Sequence, residues 1–245
     1  MSFLTPAPQG ARVGDLLQTA VRLFQASLLK CLPLGMMAVL CASLPNVYWN
    51  AITGHSTSLA ESHDGRFVAL SAVGIALGLW LYGAMMLRQR AVVLGAPLLL
   101  GAELQTSLRR LPVMLLASLL ANLSVTAGVL LLVAPGVYLL VCYLVLLPVI
   151  LFERAAPLAA IVRSVRIMRQ LWWPAFAALV IAVLLSFIGA IVFAAVLAVV
   201  ADALAGNGAA MKAVVNAGVV GFYALFGVYL SALQLVLHSA ASNSA

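Results

Sequence analysis

The sequence predicts an all-α, polytopic membrane bundle of six transmembrane helices, with amphipathic helices lying at the cytoplasmic interface. Three observations predict it. Of 245 residues, 65% are hydrophobic and only 8% are charged, whereas a soluble domain is near half apolar and about a quarter charged. Mean hydropathy is +1.18. Six apolar runs are long enough, or nearly so, to cross ~30 Å of hydrocarbon, which takes ~20 helical residues. A water-soluble fold could not hide that excess, because it must also cover its surface. The whole chain, 1–245, reads as one integral membrane domain.

The first ten residues hold two prolines and a glycine and read as a loose lead. No basic stretch precedes a short apolar core there, so a cleaved signal peptide is not expected. From Gly14 to about Leu29, Leu17, Val21, Phe24 and Leu28 recur at helical spacing while Asp15, Gln18 and Arg22 face away. That pattern predicts a helix lying in the headgroup region. The spans then follow at about 29–49, 67–87, 111–133, 137–152, 174–200 and 213–238. Pro135-Gly136 is the expected turn between the third and fourth. The fourth is short, and Pro148 inside it removes a backbone donor, which predicts a kink.

Orientation follows from the basic residues, which number 13 against 6 acidic ones, for a net charge of +7. With both termini cytoplasmic, the inner side holds Arg12, Arg22, Lys30, Arg88, Arg90, Arg109, Arg110, Arg154, Arg163, Arg166 and Arg169. Only Arg66 and Lys212 fall outside. Translocating Lys and Arg in short loops is unfavourable, so this bias sets the topology and points away from nucleic acid as a partner. Three basic amphipathic stretches, 14–30, 100–110 and 157–173, each lead into a proline (Pro33, Pro112, Pro174) and a pair of spans. Either the chain is a threefold hairpin repeat, or interfacial helices before spans share this look.

Groups able to do chemistry are sparse. His55, Glu61, His63 and Asp64 form the one close grouping of such types, in an outer loop, and its spacing suits a solvated loop better than a zinc site. Cys31 and Cys41 stand ten residues apart on one helix, about 15 Å at helical rise, too far for a disulfide. Neither a catalytic constellation nor a cofactor or metal is expected. Every ionisable residue falls at a predicted span end, which argues against a proton-coupled pump.

Ser118, Asn122 and Thr126, spaced four apart on the third span, share a face with Asn122 near mid-membrane. They are either interhelical hydrogen-bonding groups or a polar track for a substrate. Arg163, Arg166 and Arg169 cluster on one side of the inner helix before Trp172-Trp173. They suit anionic-lipid contact as well as topology anchoring. Gly74/Gly78, Ser186/Ala190/Ala194 and the stripe Ala217, Gly221, Ala224, Gly227, Ser231 present small faces. Such faces build a bundle or join a second copy or another membrane protein.

The segment 129–186 contains Ala134-Pro135-Gly136-Val137-Tyr138, Leu147-Pro148-Val149, Glu153, Ala155-Ala156-Pro157-Leu158-Ala159, Arg163-Ser164 and Trp172-Trp173. In that order these resemble the YciC-type family of uncharacterised bacterial inner-membrane proteins. They are also similar to the membrane domain attached to some glycerophosphodiester phosphodiesterases. The resemblance implies a six-helix protein of the bacterial cytoplasmic membrane and carries over no catalytic residue. The function expected is non-enzymatic support of envelope organisation through protein or lipid contacts. The alternative is a lipid or small-molecule transporter using the Ser118–Asn122–Thr126 face.

Overall fold

The computed structural model describes residues 13–53, 64–203 and 208–243. Eight α-helices account for nearly all of them: α1 (Val13–Thr53), α2 (Gly65–Leu94), α3 (Leu100–Leu131), α4 (Val133–Cys142), α5 (Leu146–Phe152), α6 (Pro157–Met168), α7 (Trp172–Ala203) and α8 (Gly208–Asn243). Short 3-10 turns, Tyr143–Val145 and Arg169–Leu171, join α4 to α5 and α6 to α7. No strand occurs among the described residues. Six stretches are long and apolar enough to cross a membrane, with α4 and α5 together making the fourth. The chain is an all-α polytopic membrane bundle.

Two of the three expected interfacial helices are not separate elements. The stretch 14–29 runs unbroken into the first span as α1, across Pro33 and Pro45, and 100–110 runs into the third across Pro112. A proline forfeits one hydrogen bond but need not end a helix when neighbouring helices hold it. Only 157–168 stands alone, as α6, with Pro157 in its first turn, where a missing N–H is harmless. The three stretches therefore have different forms, and that weakens the repeat reading.

The α3–α4 turn also differs from expectation. It is made at Leu132 in extended conformation, and Pro135-Gly136 lie within the first turns of α4. The hairpin is tight because both partners are glycine. A Cβ at Gly136 would lie 2.7 Å from Val129 N, and one at Gly128 would lie 3.0 Å from Gly136 Cα. The kink expected from Pro148 is present, placed one turn upstream as the 3-10 turn 143–145. This follows from the proline ring's clash with the carbonyl four residues before it.

At the two ends of α2, the backbone chemistry is ordinary. Asp64 Oδ1 accepts from Arg66 N at 2.8 Å and caps α2. Gly95 closes α2 at φ 63°, and Ala96 N–H reaches Ala91 O at 2.9 Å. This is a left-handed position that glycine takes without penalty.

Helix α1 packs on α2 and α8, while α3 packs on α2 and α4. The Gly74–Gly78 face of α2 is used inside the chain. A Cβ at Gly74 would sit 2.8 Å from Cys41 O and 2.7 Å from Pro45 Cγ, and one at Gly78 would sit 3.2 Å from Ala38 O. Pro45 has no N–H to give Cys41 O, and Gly74 is what lets α2 approach that carbonyl. The packed core lies toward the end of the bundle holding α5 and α6. It gathers Leu16 and Leu23, Met86 and Val93, Met114, Val145 to Leu151, Ile167 and Met168, and Leu233 to Leu237.

Candidate functional site

The charged side chains gather at that same end of the bundle. Arg88 Nε pairs with Glu103 Oε2 at 2.9 Å, with the two side chains 16% and 8% exposed. Arg88 Nη1 also donates to Lys30 O at 3.1 Å. The pair ties α1, α2 and α3 together, and Glu103 Oε1 is buried without a hydrogen-bond partner. Glu153 accepts from Arg163 Nε at 3.1 Å and meets His238 Nε2 at 3.1 Å. Arg90 stacks over the Phe152 ring at 4.4 Å, and Arg110 Nη1 reaches Arg154 O at 3.5 Å. These contacts join α2, α3, α5, α6 and α8 into one charged layer.

Of the three arginines suited to anionic lipid, Arg163 is thus committed to Glu153, while Arg166 and Arg169 are exposed. Beside them, Tyr138, Trp172 and Phe176 stack in a column, with centroids 5.7 and 5.2 Å apart. Trp173 is exposed at its edge. His55, Glu61 and His63 lie outside the described residues, and Asp64 serves as a cap.

Inward from the charged layer lie two buried carboxamides, Gln89 and Gln234, which the sequence analysis does not single out. Gln89 is 0% exposed. Its Nε2 donates to Val228 O at 2.9 Å and Ser27 Oγ at 3.3 Å, and its Oε1 accepts from Ser231 Oγ at 2.8 Å. Both its N–H groups and its oxygen are engaged. Gln234, one turn further along α8, differs. Tyr82 Oη donates to Gln234 Oε1 at 3.1 Å, which fixes the amide. Gln234 is 8% exposed, and no described residue accepts from its Nε2.

That amide lines a cleft of about 240 Å³. Helix α3 supplies one wall with Ser118, Ala121, Asn122 and Val125. The opposite wall comes from Leu140, Tyr143, Leu144, Leu146 and Leu147, where the α4–α5 break leaves room. Gln234 completes the lining.

The cleft contains two of the three polar residues that the four-residue spacing singled out. Ser118 and Asn122 line it, and Thr126 is exposed beyond it. The interhelical hydrogen bond expected of Asn122 is not made. Its Nδ2 donates to Ser118 O, four residues back on its own helix, at 2.8 Å. Asn122 is exposed, and it stands about 18 Å along α3 from Arg110 and about 14 Å from Leu131. An amide with spare hydrogen-bonding capacity therefore faces hydrocarbon near mid-depth, which is unfavourable unless something pairs with it.

No protein-family model, curated protein or solved structure matches the chain.

Proposed function

We propose that this is a non-enzymatic protein of the bacterial inner membrane that holds a lipid in the α3–α5–α8 cleft and supports envelope organisation through that contact. One observation carries the proposal: Gln234 Nε2, which finds no acceptor among the described residues, belongs to a lipid-facing, mainly apolar cleft beside Asn122, whose amide is only partly used by Ser118 O. A bilayer supplies amphiphiles at every such opening, and an unpaired buried amide gives them something to bind. The order of residues over 129–186 supports kinship with the YciC-type family. The clustering of Arg88, Arg90, Arg110, Arg154 and Arg163 at one end supports placing that end, and both termini, in the cytoplasm.

The test is lipid retention through detergent purification. The wild-type chain is expected to keep bound lipid, and the cleft-filling variant Leu147→Trp is expected to lose it at unchanged abundance. Equal retention by both contradicts the reading.

A second reading, lipid movement between leaflets, draws support from the depth of Asn122. In vesicles it predicts accelerated exchange of a fluorescent lipid, abolished by Asn122→Leu with normal abundance. Binding alone predicts no acceleration.

A further inference from the structure

We infer that the cleft recognises the ester linkage of a diacyl glycerolipid, through Gln234 Nε2 donating to an acyl carbonyl oxygen. The inference rests on reading the cleft as a lipid site and names what in the lipid is read.

Gln234 presents unused donors. Its oxygen accepts from the Tyr82 hydroxyl at 3.1 Å, and that arrangement leaves its two N–H groups to the cleft. A ligand group placed there must therefore accept. No cationic side chain lines the cleft, so a phosphate would be desolvated with no partner for its charge. A neutral carbonyl has the matching requirement: acceptor lone pairs and no formal charge.

Depth agrees. Gln234 lies four residues from His238, about 6 Å along α8, and His238 belongs to the charged layer through Glu153. The ester region of a lipid lies just inside its headgroup. A headgroup level with the charged layer, where Arg110 Nη1 and Arg154 O meet, brings an ester to Gln234.

Size agrees as well. At about 240 Å³ the cleft is smaller than the ~300–1,000 Å³ of sites that engulf a whole small molecule. It takes the ester and the first methylenes against Ala121, Leu144 and Leu147, and the rest of the lipid stays in the bilayer.

The experiment is native mass spectrometry of the full chain, titrated with a diacyl phosphatidylglycerol and with the dialkyl ether of the same headgroup and chain length. The wild type is expected to hold the diacyl lipid about fivefold more tightly, the size of one neutral hydrogen bond. Gln234→Leu removes the preference, and Tyr82→Phe, which keeps Gln234 but frees its amide to rotate, reduces it. Equal retention of both lipids by the wild type overturns the ester reading and leaves the lipid site standing. Retention of both lipids that Leu147→Trp leaves unchanged overturns the site itself. If Gln234→Leu does not assemble, the wild-type comparison of the two lipids decides alone.

Discussion

Gln89 on α2 accepts a 2.8 Å hydrogen bond from the hydroxyl of Ser231 on α8. Because its amide nitrogen also reaches Ser27 on α1, one fully buried side chain joins three helices. Replacing it with leucine removes three interhelical hydrogen bonds and leaves Ser27 and Ser231 only their bonds within their own helices, to Leu23 O and Val228 O. Gln89→Leu is expected to lower stability by about 1–3 kcal/mol, and Ser231→Ala by less. Thermal unfolding in mild detergent measures both.

The glycines separate into two kinds. A Cβ at Gly74 would press on Cys41 O and Pro45 Cγ, whereas one at Gly221 meets nothing within 4 Å. Gly74→Ala must push α1 and α2 apart, at an expected loss of about 1–3 kcal/mol. Gly221→Ala is expected to be neutral or to gain up to about 1 kcal/mol from helix propensity. The same unfolding assay compares them.

Arg154 follows the last turn of α5 with φ 55°, the one non-glycine at positive φ among the described residues. A side chain there carries steric strain that glycine lacks. Its contact with Arg110 uses the backbone carbonyl and survives substitution. Arg154→Gly is expected to raise stability by up to about 1 kcal/mol, the entropy of a freer unfolded chain offsetting part of the gain. A branched residue, as in Arg154→Val, is expected to lower it.

The Arg88–Glu103 pair is largely buried, at 16% and 8% exposure. Removing one member strands the other's charge. Arg88→Met or Glu103→Gln alone is expected to cost about 3–5 kcal/mol, and the double substitution less than the two summed. A double-mutant cycle on unfolding free energy tests this; additive losses would show the pair uncoupled.

Topology has its own test. Cysteine at Ser56, in a chain whose three native cysteines are replaced, is expected to react with a membrane-impermeant maleimide added to the non-cytoplasmic side of the membrane. Labelling only after lysis would invert the assigned orientation.

The spans were legible in the sequence because hydrophobic length is a local property: six runs are enough to count crossings. Asn122 was legible too, since Ser118 and Thr126 flank it at four-residue spacing in an apolar run. Its neighbours in space were not. Gln234 and Tyr82 stand 152 residues apart, each alone in an apolar helix, and only the relative rotation of α2 and α8 brings them together. Gln89 sits between two arginines, and the sequence predicts the span to end before them. The helix in fact continues to Leu94, which turns Gln89 into the core and Arg88 onto Glu103. The continuity of α1 is illegible for a related reason: Pro33 reads locally as a boundary, and packing against α2 and α8 carries the helix through it.

The most direct test is a structure of the chain in a nanodisc of bacterial lipid, resolved well enough to place acyl chains. The account predicts an acyl chain in the cleft, with its ester carbonyl at hydrogen-bond distance from Gln234 Nε2. A cleft closed by its own side chains, or covered by a second copy of the chain, would contradict it.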